Sequence, residues 1–183
     1  MPGDIILFLF DLNVRTLIAV LFWGNLVLAL LIFIYWSVHK GSIDLRLSKY
    51  YTLAKLAQSF ACFLLFFRGY FPDVWSVNLG NTLLLIGFYL EAVAMLMIIH
   101  VSSRKIYIVE LFLVIISVIL FNTLEFIYPD PALRVVAASL GVFLIIIQPN
   151  LLLIFSKNSS RFKRIIGLFY FIFALLLLPR IMY

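Results

Sequence analysis

Two side chains of opposite charge, Lys55 and Glu91, stand inside long apolar runs. Lys55 lies about one and a half turns into the second run, and Glu91 about two and a half turns before the end of the third. At about 1.5 Å per residue these depths bring the two within reach of each other. A lone charge in hydrocarbon costs on the order of 2.5–3.5 kcal/mol by insertion scales. The expectation is therefore an ion pair turned toward the interior of a helical bundle. Two alternatives stay open: Lys55 reaches back to the headgroups along its aliphatic stem, and Glu91 is neutral or faces water. An acid beside an amine at such depth suits proton or ion chemistry.

A second group gathers near the opposite ends of the runs. Arg68, Asn81, Asn122 and Glu125 should lie at similar heights, and with Asp73 and Arg134 they would rim a pocket for a small polar ligand. A ring of headgroup and capping contacts explains the same residues. In the fifth run, Gln148-Pro149-Asn150 reads as a helix break: Pro149 has no N–H and frees the carbonyl four residues earlier. The flanking amides would re-pair such groups or meet a ligand, although a simple kink accounts for the motif as well. Glu110 follows Arg104-Lys105 closely and reads as a satisfied interfacial charge. Asn25 and Trp23 are expected to hydrogen-bond to a neighbouring helix. Gly80, Gly87, Gly141 and Gly167 would let helices approach closely.

Catalytic signatures are missing. His39 and His100 sit at run ends with no second His or acid at metal spacing. HExxH, GxSxG, Walker A and GxGxxG patterns do not occur. The single Cys62 lies in an apolar run and reads as a small buried hydrophobe. The expectation is a chain with no catalytic residues, no metal ligands and no cofactor.

These groups need scaffolding, and the composition says what kind. Hydrophobic residues make up 66% of the 183 residues and charged ones only 12%. A globular domain has roughly 45–50% apolar and about 25% charged residues. The excess requires an apolar solvent, and lipid is that solvent. Six apolar runs follow: 16–38, 50–67, 77–99, 106–127, 133–155 and 164–181. Backbone groups in lipid must pair internally, and the runs show no alternation of the barrel type, so they read as helices. The short patch 5–10 cannot span. The fold class is an all-α polytopic bundle of about six transmembrane helices, forming one domain over 1–183.

The net charge of +6 sits at run ends rather than in a stripe with interleaved aromatics, which argues against nucleic acid. One set of ends carries Lys40, Arg46, Lys49, Arg104, Lys105, Lys157, Arg161, Lys163 and Arg164. The other carries Arg15, Arg68, Arg134 and Arg180. Cytoplasmic loops collect Lys and Arg. The first set should be cytoplasmic, with the N-terminus outside and, for six spans, the C-terminus outside too. No basic n-region precedes the first run, so it should be retained rather than cleaved.

The chain also carries Asp11-Leu12-Asn13-Val14-Arg15-Thr16, then Leu65-Phe66-Phe67-Arg68-Gly69-Tyr70-Phe71-Pro72-Asp73, then Val77-Asn78-Leu79-Gly80-Asn81-Thr82 and Leu83-Leu84-Leu85-Ile86-Gly87. In that order they resemble the multi-spanning N-terminal input regions of bacterial diguanylate cyclases (GGDEF proteins) and some sensor kinases. The resemblance implies a sensory module of the bacterial inner membrane whose helices bias a cytoplasmic output domain. The chain departs from that pattern: Leu178-Pro179-Arg180 resembles the outer end of a penultimate span, and no GGDEF motif, kinase domain or coiled-coil connector follows. It is then either a fragment or a stand-alone module acting through a partner. Its partners would be the bilayer, an output domain or partner protein, and a second copy of itself. The alternative is a small transporter or channel subunit that uses Lys55 and Glu91.

Overall fold

The computed structural model describes residues 14–38, 45–101, 103–156 and 160–182, the last with side chains to residue 178. The patch 5–10, His39, Lys40, Lys157 and Tyr183 lie outside the described residues. Within them the protein is helical: α1 (Val14–Val38), α2 (Leu45–Phe66), α3 (Gly80–Ile98), α4 (Arg104–Ile127), α5 (Pro131–Phe155) and α6 (Arg161–Met182). A π-helical turn, Val74–Leu79, runs directly into α3. Each expected run corresponds to one helix. The largest difference is at the start of α2, which begins at Leu45, five residues ahead of the run expected from 50.

Four stretches are long and apolar enough to cross a membrane: α1, the π turn together with α3 (Val74–Ile98), α4 and α5. In α2 the cations Arg46, Lys49 and Lys55 dilute the apolar run, and in α6 Arg161, Lys163 and Arg164 do the same. Large apolar side chains cover the outside. Phe112, Phe126, Phe155 and Phe169 are exposed by 63%, 89%, 76% and 70%. Exposure on this scale around the helices marks a surface made for lipid rather than for water.

Helix α3 sits at the centre and packs on α2, α4 and α5, while α1 packs on α2 and α6 on α5. Small residues set the closest approaches. A Cβ on Gly87 would stand 2.6 Å from Gln58 Cγ, and one on Gly141 would stand 2.9 Å from Leu85 Cδ2. The apolar core joins Leu85, Val114, Phe121, Val142, Ile145 and Ile146. α1 is the least integrated helix, with Ala29 as its one buried residue. Ser59 Oγ of α2 donates to Phe22 O of α1 at 3.1 Å.

The ends are closed by backbone and capping groups. Gly69 takes a φ of 88° in the turn after α2, which costs a glycine little. Ala132 N donates to Asp130 Oδ1 at 2.8 Å, capping α5 ahead of its first turn. Lys163 Nζ donates to Ile98 O at 2.7 Å. This places a cation of α6 at the carbonyl end of α3, where the helix dipole favours it. It also shows that the end of α3 and the start of α6 share one mouth of the bundle.

The helix break expected at Gln148-Pro149-Asn150 is corrected. α5 continues from Pro131 to Phe155 with Pro149 inside it. A proline removes one N–H from the ladder, and the turns on either side stay paired. Pro149 is buried, and α3 and α6 pack along the same helix, so the segment stays helical.

A buried polar layer as the candidate functional site

On α2, Tyr51, Lys55 and Gln58 are spaced by four and three residues, which puts them on one face. That face meets α3 where Gly87 allows the backbones together and Glu91 follows one turn later. Lys55 Nζ lies 2.7 Å from Glu91 Oε1. It also donates to Gln58 Oε1 at 3.0 Å, and Gln58 Nε2 donates to Glu91 Oε2 at 2.7 Å. The Gln58 amide thus bridges the pair, its oxygen toward the amine and its nitrogen toward the acid. The Lys55 ammonium also lies 5.3 Å from the centre of the Tyr51 ring.

Helix α6 supplies the last member. Tyr170 Oη donates to Glu91 Oε1 and lies 3.2 Å from Tyr51 Oη. A phenol has one proton, and that of Tyr170 goes to Glu91, so Tyr51 is the donor of the second bond. Glu91 therefore accepts from Lys55, Gln58 and Tyr170. Its side chain is 1% exposed and that of Lys55 is 9% exposed. Buried charges are tolerated where they are paired and their remaining lone pairs are filled, and both conditions hold here. The chain Tyr51–Tyr170–Glu91 joins α2, α6 and α3. Its hydroxyls are able to reverse donor and acceptor, and its bonds are able to exchange as the helices shift.

The residues expected to rim an outer pocket are divided among separate contacts. Arg68 is exposed beside Gly69. Asn81 Nδ2 donates to Val77 O of its own helix at 2.8 Å. Asn122 instead links α4 to α3: it accepts from Asn78 Nδ2 at 3.1 Å and donates to Thr82 Oγ1 at 3.0 Å. Glu125 pairs with Arg134 Nε at 2.5 Å, joining α4 to α5. Arg68 and Asn81 diverge because they lie on opposite sides of the 69–73 turn, and each has backbone or solvent nearer than the other residues. Asn25 likewise bonds Leu21 O of its own helix at 2.9 Å, and Trp23 is exposed, so neither reaches a neighbouring helix by a polar bond.

Two further buried groups stand apart. Glu110 is fully buried, and among the described residues neither of its carboxylate oxygens has a hydrogen-bond partner. The expected compensation by Arg104 and Lys105 does not occur. Those residues precede Glu110 by six and five positions, and a helix brings together residues three or four apart. Both cations are exposed. Asn150 is also fully buried, with neither amide atom partnered among the described residues, while Gln148 is half-buried. Cys62 is buried and free. Among the described residues no three His, Cys, Asp or Glu side chains gather as metal ligands would.

No family model, curated protein or solved structure matches this chain.

Sequence reasoning found the two charges but missed Tyr51, Gln58 and Tyr170. The spacing of 51, 55 and 58 was a usable signal. Tyr170 carried none, because nothing in the sequence indicates which helix α6 faces.

Proposed function

We propose that the chain is a sensory module of a bacterial inner membrane, built from about six spans with the N-terminus outside, and that the layer around Glu91 is its switch. The observation that carries this reading is the one acid, Glu91 of α3, that gathers three donors from two other helices, Lys55 and Gln58 of α2 and Tyr170 of α6. Among the described residues, Tyr170 and Lys163 tie α6 to α2 and α3 by polar contacts. A shift of α6 along α5 would break the Tyr170 bonds and leave Glu91 with Lys55 and Gln58. Two packings of one bundle that differ by a few bonds are what a ligand or physical stimulus can bias. The layer lies toward the mouth rich in Lys and Arg, the side on which an output domain or partner protein would be placed. The outer contacts of Asn78, Thr82, Asn122, Glu125 and Arg134 tie α3, α4 and α5 into the frame against which α6 moves.

A small transporter is the second reading, favoured by an acid–amine pair at hydrocarbon depth with a hydroxyl chain leading to it. One preparation separates the two. The chain is reconstituted in lipid vesicles with spin labels at the lipid-facing positions Phe60 on α2 and Phe169 on α6, and with a pH dye trapped inside. The sensory reading expects two label separations whose ratio changes in Glu91→Gln, with no proton flux in either protein. A single separation unchanged by the substitution contradicts the switch. Proton flux that disappears in Glu91→Gln establishes the transporter instead.

A further inference from the structure

Glu110 is the buried acid that the Glu91 layer does not use. It faces inward on α4 along the stripe Glu110, Val114, Ser117, Phe121 and Glu125, which are the buried residues of that helix. Two contacts fix the register of α4 on α5: Glu125 with Arg134, and Ser117 against Gly141. Continued down the antiparallel pair, that register sets Glu110 opposite Gln148, a side chain without charge.

The charged and titratable groups around it can be named from every element that packs on α4. On α5 the only one is Arg134, which is held by Glu125 fifteen residues away along α4. On α3 they are Tyr89 and Glu91. Tyr89 lies within electrostatic reach of Glu110 and of Tyr50 on α2, and Glu91 is enclosed by its own three donors. On α4 itself Arg104 and Lys105 are exposed, and Tyr107 Oη donates to Val101 O. Among the described residues no cation and no hydrogen-bond donor is set against the Glu110 oxygens. An ionised carboxylate in such a place lacks everything that would offset its lost hydration. A hard metal ion would need several more oxygen ligands than this face offers. A proton needs only the carboxylate itself.

We propose that Glu110 is an exchangeable proton site of the membrane interior, separate from the Glu91 layer. With the proton bound, α4 lies closed on α3 and α5 as observed. Release of the proton places a bare charge in that seam, and the seam opens at the Glu110 end to admit water. This inference does not depend on the sensory reading, because it concerns one carboxyl group and can be tested in the isolated chain.

The test is made on the full chain in lipid nanodiscs, with two readouts. The first is the carbonyl stretch of a protonated carboxylic acid in infrared difference spectra. It should be present at neutral pH, absent from Glu110→Gln and retained in Glu91→Gln. The second needs no variant: an apolar carbodiimide, which adds to protonated carboxyls, should modify the wild-type chain at Glu110 and pass over Glu91, as located by peptide mass mapping. Absence of the band in the wild-type protein, its persistence in Glu110→Gln, or carbodiimide modification at Glu91 in place of Glu110 would each overturn the assignment.

Discussion

The Lys55–Glu91 pair has consequences that substitution reads directly. Lys55→Met leaves Glu91 buried with two neutral donors, and breaking a buried pair from one side costs about 3–5 kcal/mol. Replacing both residues, as Lys55→Met with Glu91→Leu, removes the uncompensated charge and should cost clearly less than the single change. Unfolding of the two variants in mixed micelles checks this, and a double variant no more stable than the single one would contradict the pairing. Tyr170→Phe deletes one hydrogen bond to the Glu91 carboxylate and one to the Tyr51 hydroxyl, and should cost about 1–2 kcal/mol, as the stronger interhelical bonds in bilayers do. At this scale the sequence was partly legible. A charge inside an apolar run is conspicuous, and its depth is counted in residues, so Lys55 and Glu91 stood out. Glu110 was misread because nearness along the chain was taken for nearness in space, whereas its cations point elsewhere around the helix. Tyrosine at a membrane boundary is ordinary, and nothing distinguished Tyr51 or Tyr170 from the other tyrosines.

Helices were the most legible level. Long apolar runs bounded by cations, prolines and glycines gave six elements, because a chain in hydrocarbon has few other ways to pair its backbone. The departures have local causes. α2 extends back to Leu45 because residues at the polar mouth need not leave the helix to find water. α5 passes through Pro149 because one missing bond is a small loss in a helix packed on three others. Close packing gives a test at this scale. Gly87→Ala places a methyl against Gln58 and against the backbone of Ala54, 3.2 Å away. It should cost about 1–3 kcal/mol as overpacking does, and should displace Gln58 from Glu91. Gly24→Ala is the matched control. Nothing lies within 4 Å of its added carbon, and the gain in helix propensity should leave stability unchanged or slightly raised. Equal effects of the two in thermal unfolding would mean that the α2–α3 contact is not the close one.

The arrangement of the whole bundle was the least legible. Run order does not say that α3 is central, that α1 rests on α2 alone, or that α6 turns Tyr170 toward α3. Those choices depend on side-chain fit at Gly87, Gly141 and Gly167, which no hydropathy pattern encodes. What the sequence does encode is which ends share a face, and the whole account rests on that. The most direct measurement is the sidedness of single cysteines in a Cys62→Ala background, read with a membrane-impermeant maleimide in oriented vesicles. Trp75→Cys and Tyr128→Cys should react from one side only, Ser103→Cys and Phe162→Cys from the other only, and Ile119→Cys from neither. Reaction of all of them from a single side, or of Ile119→Cys from water, would contradict a bundle that crosses the membrane.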